Sequence, residues 1–384
     1  MADKGKEQEP ETALASLKSW KIILPIVIGL GATGYLFAKE YTPGLFDSFD
    51  FGPMSVVFFI VAAMFMMGRD IGYMIRIRVL SDGELGWFAA FRIIMLWEFS
   101  SAVTPSAVGG TSVALFFVNR EGISAGRSTG IVMITSFLDE LYFAIFFPLL
   151  VWVIGYANIF GLSDSLAHTL AGVAWTGYGI KLAYILVLSY GLFVNPRGLK
   201  WLLLTIFKLP ILRRWRENMN EVGDDIVATA KYFRHWPARK WGEAFLATAL
   251  SWTSRYWVVN ALILAFFGLG HLSFADHFVV FGKQLTMWIM MLVSPTPGGS
   301  GFAEYVFQEF LSDYIPVGAI ALAFCWRLIS YYPYLIIGVL LLPRWVNGYF
   351  KKSNKDSKLQ AIDALQQIGT ADNTTNGQKE GDAR

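Results

Sequence analysis

Long apolar runs, separated by shorter polar segments, occupy most of this chain. A membrane-spanning helix needs about 20 consecutive apolar residues, and six runs approach or exceed that length. They predict full spans at Trp20–Ala38, Pro53–Met67, Arg127–Ile154, Leu170–Val194, Gly242–Gly268 and Val317–Leu342. The second run is short by itself, so we expect its helix to continue toward Met74. The pattern predicts an all-α, polytopic membrane protein.

Two further apolar regions, 86–118 and 277–310, are too long for one span and too short for two. Each is interrupted by a motif of the form T-P-x-x-x-G, which begins at Thr104 in the first region and at Thr296 in the second. Thr is a good helix N-cap, and Pro at the first helical position needs no N–H partner. Each motif therefore predicts a helix that begins inside the membrane, and each region predicts a re-entrant hairpin of two half-helices.

Composition and charge placement agree with this topology. The sequence is 55% hydrophobic and 16% charged, with a mean hydropathy of +0.46, which is unlike a soluble domain. Lys and Arg concentrate in cytoplasmic loops. If both hairpins return to their own side, one side collects Arg69, Arg76, Arg78, Arg120, Arg127, the loop 195–241 and Arg344. We therefore expect a protein of a bacterial-type cytoplasmic membrane, the cell membrane, with both termini in the cytoplasm.

The same topology predicts an inverted repeat. Each half has two spans, a hairpin and a third span, and this odd number of crossings turns the second half over. Repeat one would cover 20–154 and repeat two 170–343, within a transmembrane domain of 20–345. A cytoplasmic segment, 1–19, would precede this domain, and a disordered polar tail, 346–384, would follow it. Inverted repeats with broken helices are typical of secondary transporters.

The loop 195–241 carries an apolar stripe at helical spacing. Its members are Trp215, Met219, Val222, Ile226 and Phe233, with arginines beside them. This pattern suits a helix that lies on an anionic leaflet. A solvated basic connector is an equally good interpretation.

Charged residues within apolar runs are costly in a membrane, so they mark functional sites or ion pairs. They are Arg92, Glu98, Asp139, Glu140, Lys181, Arg255, Lys283, Glu304 and Arg327. Arg92 and Lys283 lie 12 and 13 residues before the Thr of their motifs, which are comparable positions in the two repeats. Structural pairing of these charges is the alternative to a functional role, and Lys181 is the residue that we expect to extend to the membrane surface.

The start of a half-helix combines free N–H groups with a positive dipole end, which favours an anion. The glycines after each motif could let a head group approach the backbone, or could simply let helices pack closely. We therefore predict one substrate site that combines both motifs with nearby charges. Its residues are Thr104, Pro105, Gly109, Gly110, Asp139, Glu140, Arg255, Thr296, Pro297, Gly298, Gly299, Gly301, Glu304 and Arg327.

The motif Gly298–Gly301 also fits the G-x-S-G form of intramembrane serine proteases. Such an enzyme needs a His base at similar depth, and all four histidines of the chain fall in loops or at membrane edges. The chain contains neither a P-loop nor a nucleotide fingerprint, and its one cysteine, Cys325, belongs to no metal-type cluster. We expect no enzymatic activity, no cofactor, no metal and no nucleic-acid partner.

Four segments carry a family pattern: SSAVTPSAVGGTSVALFFV at 100–118, DELYF at 139–143, SPTPGGSGFAEYVF at 294–307 and WRLISYYPYL at 326–335. They resemble the lysylphosphatidylglycerol synthase transmembrane, or flippase-like, family. PTPGGSGFAE is the most specific piece, since family members commonly carry P-T-P-G-G-x-G followed by a charged residue. Where many relatives have Glu-Arg-Leu, this chain has Asp139-Glu140-Leu141, which removes a basic residue.

The resemblance implies a domain that moves a lipid between leaflets. The best-known members fuse this domain to a soluble aminoacyltransferase, and the polar segments here, the loop 195–241 and the tail, are too short for one. The resemblance therefore implies translocation and not lipid synthesis.

Our first hypothesis is a lipid translocator that binds an anionic or aminoacylated phospholipid, or a lipid carrier, near the bilayer midplane. Arg255 and Arg327 would contact the phosphate, while Asp139, Glu140 and Glu304 would hold the basic residues in the empty site or bind a cationic part of the head group. One alternative is a secondary carrier for a soluble anion, and another is a non-catalytic subunit that presents lipid to a partner. The sequence leaves open the lipid, the direction and energy source of transport, and whether the partner is a second copy or another membrane protein.

Overall fold

Helices make up the regular secondary structure of this protein wherever the computed structural model describes it. The described residues are Phe49, 52–103, 107–161, 165–209, 213–293, 302–342 and Trp345. No strand occurs among them. The first predicted span, Trp20–Ala38, and the predicted segments 1–19 and 346–384 lie outside these residues.

The described residues before the middle of the chain form five helices. They are α1 at Pro53–Leu80, α2 at Trp87–Val103, α3 at Ala107–Arg120, α4 at Ala125–Ile154 and the short α5 at Tyr156–Phe160. Helix α1 begins at a proline, and the Gly52 N–H donates to the Ser55 hydroxyl at 3.1 Å. The helix ends at a turn in which Gly83 has φ +80°, a conformation that favours glycine.

The described residues that follow form seven more helices before Tyr331. They are α6 at Ser165–Ser189, α7 at Pro196–Ile206, α8 at Arg216–Phe233, α9 at Ala238–Phe267, α10 at Phe274–Met290, α11 at Phe302–Leu311 and α12 at Ala319–Ser330. A π-helical turn, Tyr190–Val194, extends α6, and after Tyr331 the chain is again helical to Leu342. The described residues up to Gly338 belong to one unit, and those from Val339 belong to a second.

Four helical segments are long and apolar enough to cross a membrane, judged by length and composition within the described residues. They are Pro53–Leu80, Ala125–Ile154, His168–Val194 and Ala319–Leu342, and they match four of the six predicted spans. The predicted span Gly242–Gly268 is not among these four segments, although helix α9 is 30 residues long. It lies within the bundle, where neighbouring helices cover its polar positions, so it needs no continuous apolar surface.

Among the described helices, α1 and α9 form the most extensive pair and pack against each other along their lengths. The close approach depends on Gly68 and Gly72 of α1. A Cβ atom on Gly72 would lie 2.3 Å from the Ser251 hydroxyl oxygen and 2.8 Å from the Ala247 carbonyl oxygen. The pair therefore uses the small-residue packing typical of membrane helices. Helices α1 and α9 are the second spans of the two predicted repeats, and the inverted repeat itself stays a prediction.

The loop 195–241 is helical, as its periodicity predicts, but its apolar stripe is partly used within the protein. Ile226 and Phe233 of α8 are buried, and α8 packs against α4 and α7. A Cβ atom on Gly130 of α4 would come within 3.2 Å of the Phe233 ring. The interpretation of this whole stripe as a leaflet-binding face is therefore wrong for Ile226 and Phe233, because both side chains are already covered by the bundle.

Candidate functional site

The first interrupted region folds back on itself. Helices α2 and α3 pack together, and Arg92, near the beginning of α2, forms an ion pair with Glu121, which follows the end of α3. The Arg92 Nε and Nη2 atoms donate to the two Glu121 carboxylate oxygens at 2.9 and 2.6 Å. Because the beginning of one helix meets the end of the other, the chain leaves this hairpin on the side where it entered.

The second interrupted region has the same arrangement. Lys283 of α10 lies 3.3 Å from the carboxylate of Asp313, beyond the end of α11, and His271, before α10, donates from Nε2 to the Tyr314 carbonyl at 2.8 Å. Glu121 and Asp313 each lie 17 residues after the Thr of their motif. We call the pairs Arg92–Glu121 and Lys283–Asp313 the hairpin clasps. They occupy equivalent positions, which extends the correspondence predicted for Arg92 and Lys283.

The tips of the hairpins carry most of the predicted backbone site. Thr104 and Pro105 lie outside the described residues, and so do Thr296, Pro297, Gly298, Gly299 and Gly301. Gly109 and Gly110 fall in the first turn of α3, and α11 begins at Phe302, directly after the second motif. Both motifs thus precede helices, while their binding of an anion stays a prediction.

A charged cluster connects α1 with the first hairpin. The Arg69 guanidinium, fully buried in α1, lies 2.8 Å from Asp70 and 2.5 Å from Glu98 of α2. The Tyr334 hydroxyl lies 3.0 and 2.9 Å from the two Asp70 carboxylate oxygens, to which it donates. We call Arg69, Asp70, Glu98 and Tyr334 the Arg69 cluster. The rings of Tyr73 and Tyr334 lie 4.8 and 5.0 Å from the Arg69 guanidinium carbon.

Asp139, one of the predicted site residues, is held by the same helix. Arg76 of α1 forms an ion pair with the Asp139 carboxylate at 2.5 Å, and the Trp252 indole N–H donates to the same carboxylate at 2.7 Å. Arg76 also donates to the Thr248 hydroxyl at 3.3 Å. Asp139 therefore connects α4 to both α1 and α9.

The charge pattern counts Arg69 and Arg76 on the cytoplasmic side, and the structure places both of them within α1. Helix α1 continues to Leu80, past both the apolar run and the predicted limit at Met74. Both arginines are therefore helical and buried. The charge that marked the end of a span in the sequence is used inside the bundle, because Asp70, Glu98 and Asp139 offset the cost of burying it.

The remaining predicted acids also have basic partners. Lys181 of α6 donates to both Glu140 oxygens at 2.8 and 2.9 Å, so the expectation that Lys181 extends to the membrane surface is wrong. Its ammonium group has an internal carboxylate, which is a better partner than the interface. Glu304 of α11 and Arg327 of α12 form an ion pair of 2.8 Å in which both side chains are buried.

Arg255 differs from these basic residues. It makes no ion pair or hydrogen bond within the described part of the chain, and its guanidinium carbon lies 4.3 Å from the Trp288 ring centroid and 5.7 Å from that of Trp252. It lines a narrow cavity of about 10 Å³, which has room for about one water molecule. The other lining residues are Tyr256, Gln284, Met287, Trp288, Met291 and Trp326. We call this space the Arg255 cavity.

Arg255 was predicted as a site residue, but Arg69, a charged residue that acts on it electrostatically, was not. Arg255 is within electrostatic reach of Arg69 and Glu98, and Arg69 and Asp70 were absent from the predicted site. A signal was present, because Gly68 and Gly72 enclose Arg69 in a G-x-x-x-G pattern. That spacing is typical of close helix packing in membranes, and it places Arg69 beside the contact between two helices.

The comparisons with known proteins place this architecture in a family. A UPF0104 membrane protein from Archaeoglobus fulgidus is 22% identical over 331 residues, which cover 83% of this chain and 95% of the relative. The family model described as the lysylphosphatidylglycerol synthase TM region matches residues 22–338. That match includes both interrupted regions, the Arg69 cluster and the Arg255 cavity. The chain is thus a membrane protein that belongs to the lysylphosphatidylglycerol synthase transmembrane-region family.

Proposed function

We propose that this protein moves an anionic phospholipid between the leaflets of the cell membrane, and that Arg255 binds the lipid phosphate. The observation that carries the proposal is that Arg255 has no acidic partner among the described residues. Arg69, Arg76, Lys181 and Arg327 each lie against a carboxylate, whereas Arg255 has none within the described residues. A guanidinium that lines a cavity without a counter-charge is a binding group for an anion.

The walls of the cavity orient this group. Trp288 covers one face of the guanidinium at 4.3 Å, so the N–H groups along its edge are the ones that can donate to phosphate oxygens. The Gln284 amide N–H donates to the Tyr256 carbonyl at 2.8 Å, which leaves the Gln284 amide oxygen to accept from a hydroxyl or ammonium group of the head group. Acyl chains would stay in the surrounding bilayer.

The two hairpins supply the parts that could move. Each returns to the side where it began, and each is closed by a hairpin clasp. In the proposed cycle, rocking of one repeat against the other widens the Arg255 cavity to admit the head group and exposes it to alternate leaflets. Membership of a family described by a lipid-modifying enzyme's membrane region supports a lipid as the substrate. We propose no catalytic step.

Leaflet exchange in reconstituted vesicles tests this function. Vesicles of phosphatidylcholine with fluorescent phosphatidylglycerol would be assayed by dithionite quenching of the outer leaflet. We expect Arg255→Gln to slow exchange by about tenfold or more, which corresponds to the loss of about 1.4 kcal/mol of charge-assisted binding. Arg239→Gln is the matched control, because Arg239 begins the same helix, pairs with Glu243 and has an 87% exposed side chain.

The outcomes separate the protein class from the site. No exchange by the parent protein would exclude a phosphatidylglycerol translocator. Exchange that is equal in the parent and in Arg255→Gln would exclude Arg255 as the phosphate ligand. If the parent instead transports free glycerol phosphate into the vesicles, the protein is a carrier for a soluble anion.

A further inference from the structure

Helix α7 and the turn after it have an apolar face that the described bundle leaves open. Trp201, Leu202, Ile206 and Leu209 are each between 42% and 67% exposed. They recur at helical spacing, so their side chains share one side of the helix. We call these four residues the exposed face of α7. Large apolar side chains grouped in this way mark a surface that contacts another protein or a membrane.

Packing on the other side of α7 fixes the direction of this face. Leu199 is buried, and a Cβ atom on Gly191 of the π-helical turn would lie 2.1 Å from the Leu199 side chain. A Cβ atom on Gly223 of α8 would lie 2.5 Å from the stem of Lys200. The Lys200 ammonium also pairs with Asp224 of α8 at 2.6 Å. These close contacts hold α7 against the bundle, so its exposed face cannot turn inward.

Helix α7 begins where a candidate membrane span ends. The segment His168–Val194 is long and apolar enough to cross a membrane, and Asn195 alone separates it from α7. Asn195 caps the new helix by accepting from the Gly198 N–H at 2.7 Å, and α7 packs against the π-helical turn Tyr190–Val194. A helix attached so closely to the end of a span lies at the membrane surface, where Trp is enriched and amphipathic helices bind.

The charge of this region selects the kind of partner. Residues 195–216 contain six Lys or Arg residues and no Asp or Glu. Besides Lys200, they include three exposed ones: Arg197, Lys208 and Arg213. Anionic lipids attract basic segments beside a membrane span. A second copy of the chain that docked here about a two-fold axis would bring the same positive charge against this face, which disfavours a dimer contact.

We infer that the exposed face of α7 is buried in the leaflet at this end of α6, and that Arg197, Lys208 and Arg213 bind the phosphates of its anionic lipids. The positive-inside rule predicts that this leaflet is the cytoplasmic one. The leaflet contact that the sequence predicts for α8 is thus transferred to α7, because α8 uses Ile226 and Phe233 within the bundle. The inference concerns lipids that surround the protein, so it does not depend on lipid translocation.

Spin labels in the full chain locate the exposed face. Ile206→Cys, in a chain that also carries Cys325→Ser, would be labelled with a nitroxide and reconstituted into vesicles of phosphatidylcholine and phosphatidylglycerol. We expect oxygen, which concentrates among acyl chains, to reach the label more readily than a water-soluble nickel complex does. Ala228→Cys is the matched control, because Ala228 is exposed on α8 between Asp224 and Lys231, and its label should show the reverse order.

Two results of this measurement would overturn the inference. If nickel reaches the label at residue 206 as readily as the label at residue 228, the exposed face of α7 lies in water. If neither oxygen nor nickel reaches it, a protein surface covers the face, and the partner is a second copy of this chain or another protein.

The lipid composition near α7 tests the phosphate contacts. A fluorophore at residue 206 would be quenched with nitroxide-labelled phosphatidylglycerol and, separately, with nitroxide-labelled phosphatidylcholine. We expect phosphatidylglycerol to be enriched near the label, and the enrichment to fall by up to about fivefold for each charge removed in a triple variant. That variant combines Arg197→Gln, Lys208→Gln and Arg213→Gln. The control set Arg197→Lys, Lys208→Arg and Arg213→Lys keeps the charge and should keep the enrichment. Equal enrichment in both sets would overturn the role of these three residues.

Discussion

The two hairpins are alike in outline and differ in how they are anchored. The first is attached through Glu98, whose side chain is 25% exposed and whose partner Arg69 also holds Asp70. The second is attached through Glu304, whose side chain is 1% exposed and lies against Arg327. A carboxylate that water can reach keeps part of its solvation, whereas a fully buried one depends on its ion-pair partner alone. Removing the carboxylate should therefore cost less stability in the first anchor than in the second.

The two hairpin clasps also differ in the exposure of their side chains. The acid is the buried partner in the first clasp, and the base is the buried partner in the second. In the first clasp, Arg92 is 41% exposed and Glu121 is 10% exposed, and two short hydrogen bonds join them. In the second, Lys283 is 7% exposed, Asp313 is 76% exposed, and they lie 3.3 Å apart. The first hairpin thus has a close clasp and a partly exposed anchor, while the second has a longer clasp and a buried anchor. If the hairpins move, they should move in different ways.

Replacement of Glu98 and of Glu304, the two anchor carboxylates, should give the largest difference in the stability of the protein. Glu304→Gln leaves Arg327 buried without the charge of Glu304, and we expect a loss of about 3–5 kcal/mol in the free energy of unfolding. Glu98→Gln leaves Arg69 with Asp70, so we expect a loss of about 1 kcal/mol or less. Denaturant titration in detergent micelles, followed by tryptophan fluorescence, measures both. Equal losses would show that the two anchors do not differ.

Moving α1 should disturb the first anchor and spare the second. A Cβ atom on Gly72 would lie 2.3 Å from the Ser251 oxygen, so Gly72→Ala should separate α1 from α9 at a cost of about 1–3 kcal/mol. Gly179→Ala is the control, because nothing lies within 4 Å of a Cβ atom there; it should be neutral or stabilising by about 0.5–1 kcal/mol. Thermal unfolding gives both values. If both variants have the same stability, the close packing of α1 on α9 is wrong.

The clasps should respond in opposite directions to removal of the basic residue. Arg92→Met deletes two hydrogen bonds to Glu121, and we expect a loss of about 0.5–1 kcal/mol, since Arg92 is partly exposed. Lys283→Met removes a buried ammonium whose acid is mostly in solvent, and we expect no loss or a gain of up to about 1 kcal/mol. Hydrogen exchange of α2 and α10 measures each hairpin separately. A larger loss for Lys283→Met would reverse the order of the clasps.

Acid should weaken the connection into the first hairpin, with the smallest effect of the four. Burial acts to raise the pKa of Asp82, but hydrogen bonds from Lys240 and Tyr232 and the charges of Lys240 and Arg127 hold that pKa below its usual range. A depressed pKa stabilises the fold above the pKa of the unfolded chain, and this contribution disappears as the pH falls through the folded value. Asp82→Asn should lack this acid-sensitive part. Unfolding titrations of parent and variant between pH 7 and about pH 3 measure it, and parallel curves would contradict it.

The sequence pattern predicted which segments are helical better than it predicted the residues at which the helices end. Four predicted spans correspond to helices that are long and apolar enough to cross a membrane, and both interrupted regions fold back on themselves. Helix α1 shows why the ends fail. Its apolar run stops near Met67, yet the helix continues to Leu80, because Arg69 and Arg76 find acids on other helices. Periodicity along one segment contains no record of those partners.

The sequence by itself determined that this is a helical membrane protein, and it identified most of the charges that lie within it. Length, hydropathy and the two T-P-x-x-x-G motifs are local properties, and each follows from residues that are adjacent in the chain. The tertiary structure decided which charged side chains have a partner of opposite charge. It paired Glu98 with Arg69, Asp139 with Arg76, Glu140 with Lys181 and Glu304 with Arg327, and it left Arg255 beside a cavity. The physical reason is that the cost of a buried charge depends on what surrounds it, and those surroundings are assembled from distant parts of the chain.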